Sequence, residues 1–361
     1  MNLLYTDVED DLRASVRDLL TDRAQPAAVL ARCETGEPYD LALWRELANL
    51  GATSLHVPEE LGGQGASPRE VAVVMEELGR FVAPVPFLGC AVLATTALLG
   101  CKPGDEVRGL LDALGSGEKV ATLAISLATA PGSTVPDAIR AGSGLSGRVR
   151  SVADAAPAEV LLVPAQGPSG LELHAVPVDQ DGVTITPVTS LDLTRPVADI
   201  TLDGASSTLL AGPESAESAV DSALWTAAAL LSSEQLGIAE WCLETTVAYL
   251  KDRHQFGRPV GSFQALKHRL ADVWGDLVLA RAAARNAADD PGTLSASVAQ
   301  ALCSTVAVHA AEECVQLHGG IGMTWEHPAH LYLKRAKADS IALGTAGRHR
   351  QLLAPRADIH A

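Results

Sequence analysis

The chain has 361 residues, 47% of them apolar, and a formal net charge of −17 at pH 7. This length and composition favour a large core divided into two or three domains, and the negative charge disfavours nucleic acid or anionic lipid as a partner. No apolar run approaches the roughly 20 residues that a membrane span needs, and the acidic N-terminus differs from a signal peptide. We therefore expect a cytoplasmic protein.

Three regions of different periodicity follow one another along the chain. From Asp7 to about Leu111, apolar residues recur at spacings of three and four, typical of helices, and Ser67 before Pro68 is a suitable N-cap. Short β-branched runs then alternate with turn residues, which predicts strands, before helical periodicity returns. The pattern predicts an α+β fold, with a helical domain at residues 1–118, a β domain at 119–210 and a helical bundle at 211–361.

The cysteines have no C-x-x-C spacing, and most lie in apolar helical segments where a thiol packs as a small hydrophobic group. We expect neither a metal site nor a disulfide from them. They are Cys33, Cys90, Cys101, Cys242, Cys303 and Cys314.

Two short segments near helix ends carry groups suited to a phosphate ligand. Arg253 follows a long helical pattern, and its guanidinium can donate paired hydrogen bonds to a pyrophosphate. Gln316 precedes Gly319 and Gly320, whose lack of side chains lets a ligand or another backbone approach closely. Taken alone, each segment also has an ordinary interpretation, a solvated surface arginine in one case and a helix C-cap in the other.

Four stretches of the chain, taken in order, resemble the acyl-CoA dehydrogenase superfamily. This resemblance implies an N-terminal helical domain, a middle β-barrel or sheet domain and a C-terminal four-helix bundle. The stretches are WRELANLGATSLHVPEELGGQGASPREVAVVMEELGR (Trp44–Arg80), LSGRVRSVADAAPAEVLLVPA (Leu145–Ala165), YLKDRHQFGRPVGSFQALKHRLADV (Tyr249–Val273) and QLHGGIGMTWEHPAHLYLKRAK (Gln316–Lys337).

The resemblance also implies a role in binding FAD. In the family, the third and fourth stretches contact the adenine and pyrophosphate end of a flavin that is held mainly by the neighbouring subunit. Carried over to this sequence, they place Arg253, His254 and Gln255 at the pyrophosphate and adenosine, Gln264 at the adenine side, and Gln316, Gly319 and Gly320 in the same groove. Thr345, which remains from the family's Glu-Gly-Thr step, completes the expected cofactor-binding residues.

The family's catalytic base is missing from both of its usual places. The reaction needs a carboxylate within hydrogen-bond reach of the α proton of the acyl-CoA. The stretch AKADSIALGTAGRHR has Leu343 where most members have the glutamate, and the alternative place on the preceding long helix holds Ala227 and Ala228. We expect no catalytic residue in this chain. Glu234 and Asp339 are candidates for a displaced base, or are ordinary solvated or capping carboxylates.

The β domain also departs from the family's flavin-binding pattern. The family's T-E-P-x-x-G-S-D-like loop reads ATAPGSTV at Ala128–Val135, and Arg150 and Ser151 lie near the place of an aromatic residue that packs beside the flavin ring. The sequence therefore retains the adenine half of the site but not the isoalloxazine half.

This combination resembles the non-catalytic, β-type chains of actinobacterial α₂β₂ acyl-CoA dehydrogenases, which act on CoA thioesters with bulky acyl groups such as steroid side chains. The resemblance implies a paralogous catalytic subunit as the partner, an acyl-CoA substrate and one FAD per heterodimer. Two alternatives remain open. One is a homo-oligomeric acyl-CoA dehydrogenase that uses Glu234 or Asp339, and the other is a flavin-free binding or scaffold protein on the same fold.

Overall fold

The computed structural model describes residues 3–134 and 139–357. The first part of the chain is helical, and two of its helices begin with a capping box, Thr6 with Glu9 and Ser67 with Glu70, which satisfies free backbone N–H groups. The predicted N-cap at Ser67, with Pro68 in the first turn, is confirmed. The helices are Asp7–Arg23 (α1), Pro26–Cys33 (α2), Leu41–Asn49 (α3), Pro68–Phe81 (α4), Thr95–Leu99 (α5) and Asp105–Gly115 (α6), with a buried π-helix at Phe87–Ala94.

The middle of the chain forms a mostly antiparallel sheet. Its strands are Ala121–Leu123 (β1), Ile139–Ala141 (β2), Leu145–Ala153 (β3), Val160–Gly167 (β4), Gly170–Pro177 (β5), Val183–Pro187 (β6), Val197–Ala205 (β7) and Thr208–Ala211 (β8). The order is β6-β7-β3-β2-β4-β5-β8, and both β1 and β2 run parallel to β4. β3 is not among the strand patterns recognised in the sequence, because Gly147 takes an inward position between the buried Leu145 and Val149 and the register with β7 shifts between Val149 and Val152.

The last part of the chain is helical again, and a short hairpin separates its first two helices. The elements are Ala216–Asp252 (α7), His254–Gln255 (β9), Arg258–Pro259 (β10), Gln264–Asp289 (α8), Thr293–His318 (α9), Ala329–Asp339 (α10) and Ala346–Leu353 (α11). α7 packs most extensively against α9 and α4, so α4 joins the helical bundle of the C-terminal part. The expected order of helices, sheet and helical bundle is confirmed. The exact domain boundaries at 118/119 and 210/211 stay predictions.

Two glycines allow α4 and α7 to cross at backbone contact. A Cβ atom added at Gly79 would lie 2.1 Å from the carbonyl oxygen of Glu234, and one added at Gly237 would lie 1.9 Å from that of Glu76. No side chain can occupy either position without a shift of the backbone, so the close crossing requires glycine in both helices.

One stretch within the described residues is long and apolar enough to span a membrane by composition alone, namely α9 with the turn that follows it, Thr293–Met323. Its most apolar window has a mean hydropathy of 1.3 and is 67% buried inside the protein. This stretch is therefore an exception to the expectation that no apolar run approaches the length of a membrane span. Because α9 packs against α7, α8, α10 and α11, its apolar character is accounted for by the core of the bundle.

Candidate functional site

The segment after α7 presents three of the predicted flavin-binding residues on the surface. Arg253 caps α7, and its backbone N–H donates to the carbonyl oxygen of Tyr249 at 2.8 Å. His254 and Gln255 form β9, and all three side chains are exposed. Within residues 3–134 and 139–357, the Arg253 guanidinium donates to no protein acceptor. It is therefore available to an external anion.

The hairpin is fixed to the start of α8 by aromatic contacts. Its turn has Phe256 and Gly257 at φ values of 52° and 74°, which suit a tight two-residue hairpin. The Phe256 ring contacts Phe263 edge to face with centroids 6.0 Å apart, and the Arg258 guanidinium lies 4.0 Å from the Phe263 centroid. Gln264, the first residue of α8, follows directly and is exposed. Gln264 thus lies beside the hairpin that carries Gln255.

The end of α9 forms the second wall of the predicted groove. Gln316 is exposed two residues before the helix ends, and Gly319 has φ 62° and ψ −138°, a conformation that glycine adopts far more easily than other residues. A Cβ atom at Gly319 or Gly320 would meet no atom within 4 Å, so this backbone is open to a ligand.

The ends of α7 and α9 meet through stacked rings. The Tyr249 ring stacks on the His318 imidazole with centroids 4.4 Å apart. Tyr249 lies one turn before Arg253, and His318 is next to Gly319. The structure therefore brings together the two segments that the sequence assigned to one groove, although they are more than 60 residues apart.

Thr345, the N-cap of α11, lies beside the middle of α9, away from the C-terminal end of α9 where Gln316 and Gly319 lie. Its hydroxyl caps α11 by accepting the Arg348 backbone N–H at 3.3 Å. It also lines a groove of about 420 Å³ with Thr305 and His309 of α9. Gln316 continues this helix face at spacings of three and four residues, and the separation of Thr305 from Gln316 is roughly 16 Å at 1.5 Å per residue. Thr345 and Gln316 therefore share a helix face but do not form one compact site.

The place of the family's catalytic glutamate is closed. Leu343 has no exposed surface, and its backbone N–H donates to the carbonyl oxygen of Leu127 at 2.7 Å. His349 Nε2 donates to the Leu343 carbonyl at 3.0 Å. The loop that contains Leu127 thus packs directly on this position. Ala227 and Ala228, at the alternative place, are also fully buried.

The sequence left open that Glu234 and Asp339, the two candidates for a displaced base, are ordinary solvated or capping carboxylates. The structure shows instead that both are buried. Glu234 is 2% exposed and Asp339 is 1% exposed. Arg195 bonds to Glu234 and donates to Asp339 at 2.9 Å, and Arg335 donates to Glu234 at 2.7 Å. We call Asp192, Arg195, Glu234, Arg335 and Asp339 the buried ion cluster.

Burial is the largest influence on Asp339 in this cluster. It raises the pKa of Asp339 to about 8, and the nearby charge of Glu234 adds to the effect. Asp339 Oδ2 has no hydrogen-bond partner among the described residues, which is consistent with a proton on that oxygen. Sequence patterns did not reveal the cluster because its members come from distant parts of the chain, Asp192 and Arg195 before β7, Glu234 on α7, and Arg335 with Asp339 on α10.

The two β-domain segments that depart from the family's ring-binding pattern are each held by hydrogen bonds within the described part of the chain. Ser151 is held at φ 56° by the β3 irregularity, and its N–H donates to Asp199 at 3.0 Å. The loop at residues 128–134 is tied to α7 because the Gly132 N–H donates to Asp221 at 2.9 Å; Val135 lies outside the described residues. The neighbouring cavity, about 650 Å³, is lined by Asp221, Glu214 and Glu217, which repel phosphate groups.

Comparisons with known proteins agree over most of the chain. The family model described as "Acyl-CoA dehydrogenase, N-terminal domain" matches residues 6–101, and "Acyl-CoA dehydrogenase, C-terminal domain" matches residues 218–357. Acyl-CoA dehydrogenase IpdE2 from Mycolicibacterium smegmatis is 37% identical over 92% of this chain and 93% of its own length. Acyl-CoA dehydrogenase FadE34 from Mycobacterium tuberculosis is also 37% identical, over 95% of this chain but only 47% of FadE34.

Two solved heteromeric complexes contain a similar chain. A chain of the ChsE4-ChsE5 complex from Mycobacterium tuberculosis is 28% identical with a TM-score of 0.89, and the match covers 100% of both chains. A chain of the Tcur3481-Tcur3483 steroid ACAD, solved as a G363A variant, is 31% identical with a TM-score of 0.85 over 98% of this chain and 99% of its own.

Proposed function

This chain belongs to the acyl-CoA dehydrogenase family, and from that premise we propose that it is the non-catalytic subunit of a heteromeric acyl-CoA dehydrogenase. It contributes the pyrophosphate and adenine end of an FAD site whose ring-binding half and catalytic base lie in a paralogous subunit. The partner subunit removes the α proton of an acyl-CoA thioester.

The burial of Leu343, at the place of the family's catalytic glutamate, is the main observation behind the proposal. A general base must lie within hydrogen-bond reach of the proton that it accepts, and neither leucine nor alanine can accept one. Leu343 is fully buried under the carbonyl of Leu127, so a thioester has no access to it. Glu234 does not replace the missing base, because its carboxylate is occupied by Arg195 and Arg335 in the interior.

The open groove supports the proposed role in binding the pyrophosphate and adenine end of FAD. Arg253 is exposed and without a protein acceptor in the described part of the chain, so its guanidinium would donate to the pyrophosphate. Gln255, Gln264 and Gln316 would supply amide groups to the adenosine, and the backbone at Gly319 permits close approach. When bound, FAD supplies the acceptor for the hydride that leaves the acyl chain. This chain's residues would hold and orient its far end.

The heteromeric assembly is supported by the relatives. Similar chains occur in the two-component ChsE4-ChsE5 and Tcur3481-Tcur3483 complexes. FadE34 matches this chain over only 47% of its length, which leaves room for a second region of similar size within one polypeptide. The second of the two complexes is a steroid acyl-CoA dehydrogenase, which supports a CoA thioester with a bulky, steroid-like acyl group as the substrate.

The test is the flavin content of the heteromer formed with a paralogous chain that keeps the glutamate. Arg253→Ala removes charge-assisted hydrogen bonds worth about 1.5–3 kcal/mol, so we expect flavin affinity to fall roughly 10-fold to 100-fold. Arg45→Ala is the matched control, because Arg45 is an exposed arginine on α3. Size-exclusion chromatography separates loss of flavin from loss of assembly. An intact heteromer in which Arg253→Ala keeps wild-type flavin affinity contradicts the proposed site.

A further inference from the structure

An apolar groove of about 470 Å³ lies on the surface between α7 and α8, beside the hairpin that carries Gln255. We call it the α7–α8 groove. Its walls are apolar side chains that recur at helical spacing along the two packed helices. They are Leu243, Val247 and Leu250 of α7 and Leu270, Ala271 and Trp274 of α8.

Trp274 gives the α7–α8 groove the character of a protein-binding surface. Its side chain is 60% exposed, and Val278, one turn further along α8, is 39% exposed and extends the apolar stripe. Tryptophan is among the commonest anchors of protein interfaces, and contiguous exposed apolar surface marks such sites. Small-molecule pockets, by contrast, enclose most of their ligand. A groove that leaves Trp274 this exposed therefore suits a protein segment better.

Two lysines give one end of the groove a positive charge. Lys251 at the end of α7 and Lys267 near the start of α8 both line it, and both are exposed. Neither forms an ion pair within the part of the chain that the structure describes. The surrounding segment, residues 251–269, has five arginines and lysines and one aspartate, in a chain whose net charge is −17. This end of the groove therefore complements a partner surface that carries carboxylates.

The groove adjoins the segment that carries Arg253. The Val260 N–H donates to the Arg253 carbonyl oxygen at 2.7 Å, and the next residue, Gly261, lines the groove. A Cβ atom added at Gly261 would lie 2.9 Å from the Leu250 carbonyl oxygen, so this turn packs directly on the end of α7. A subunit that brings its flavin to Arg253 must therefore lie beside the groove as well.

We propose that the α7–α8 groove binds an amphipathic helix of the paralogous subunit, with its apolar face on Trp274 and its carboxylates beside Lys251 and Lys267. A third helix packs into the groove between two helices through apolar residues at spacings of three and four. The identity of this partner rests on the proposed function, because that function puts the flavin-bearing subunit at Arg253. The apolar walls and the positive end of the groove do not depend on it.

Two serine variants of α8 test the docking surface. Trp274→Ser removes the anchor, and Leu279→Ser removes a side chain that is also 60% exposed but points about 140° away around the helix. Sedimentation velocity on dilution gives the dissociation constant of the heteromer with a paralogous chain that keeps the glutamate, and circular dichroism verifies folding. We expect Trp274→Ser to weaken the heteromer about 30-fold, the size of an interface hot spot, and Leu279→Ser to change it within about 2-fold.

Charge reversal tests the positive end of the groove. The double variant Lys251→Glu with Lys267→Glu is compared with Lys102→Glu with Lys119→Glu, because both doubles change the net charge equally and the control lysines are exposed elsewhere. We expect the first double to weaken the heteromer roughly 10-fold at low salt, and less at high salt. An equal loss in the control double would assign the effect to net charge and overturn the electrostatic part of the inference.

The remaining outcomes separate this inference from the proposed function. Arg253→Ala should lose flavin and keep the assembly, whereas Trp274→Ser should lose flavin only in proportion to the heteromer lost. Equal dissociation constants for wild type and Trp274→Ser, or equal losses for Trp274→Ser and Leu279→Ser, would exclude the groove as the docking site and leave the proposed function standing. A wild-type chain that forms no heteromer would contradict the proposed function and this partner together. A dimer of the chain alone that Trp274→Ser abolishes would assign the groove to a second copy instead.

Discussion

Replacing Arg335 with methionine is expected to destabilise the whole chain, because this side chain is the centre of the buried ion cluster. Its guanidinium is buried and bonds to Asp192, to Glu234 at 2.7 Å and to Thr194 at 2.6 Å. Methionine fills a similar volume but donates no hydrogen bond, so two carboxylates remain buried with fewer donors. Removing one partner of a buried ion pair costs about 3–5 kcal/mol.

Thermal unfolding followed by circular dichroism measures this loss. At roughly 2–4 °C per kcal/mol for a large domain, the melting temperature should fall by at least about 6 °C. Arg45→Met is the control, since Arg45 is exposed on α3 and a surface change of this kind stays within about 0.5 kcal/mol.

A decrease in melting temperature for Arg335→Met no larger than that for Arg45→Met would contradict the stabilising role of Arg335 in the buried ion cluster. It would mean that Glu234 and Asp339 do not depend on the arginines for their stability in the interior. Both carboxylates would then return as candidates for a displaced catalytic base.

Three further changes test other parts of the structure. Gly237→Ala places a Cβ 1.9 Å from the Glu76 carbonyl oxygen, so denaturant unfolding should show a loss of about 2 kcal/mol; Gly275→Ala in α8, with open space at its Cβ, should not show it. Ser67→Ala removes the capping hydroxyl of α4 and should cost about 1 kcal/mol in the same assay. The pKa of Asp339 is raised to about 8 in the folded chain, so wild type binds the extra proton at neutral pH and loses stability as pH rises through 8. Asp339→Asn mimics the protonated acid and should flatten that loss; an unchanged pH profile would contradict the assignment.

The order of helices, strands and helices could be predicted because periodicity is a local property of the sequence. The N-cap at Ser67 followed from residues within one turn, and the structure confirms it. β3 was missed for the same local reason, since Gly147 at an inward position and the bulge before Val152 hide the alternation.

In the candidate site, too, features set by neighbouring residues could be predicted from the sequence, and features set by distant residues could not. The absence of a base at Leu343 can be read from one short motif. The burial of Glu234 and Asp339 could not be predicted, because it depends on Arg195, which lies 39 residues from Glu234 in the sequence and pairs with it only in the folded chain.

We propose above that this chain completes a flavin site without possessing one of its own. The most direct test is the visible absorption spectrum of the chain purified alone and after co-expression with a paralogous acyl-CoA dehydrogenase subunit. We expect no flavin bands for the chain alone and one FAD per heterodimer in the complex. Stoichiometric flavin on the chain alone would contradict it and favour a homo-oligomeric enzyme, and a stable heteromer without flavin would favour a scaffold role.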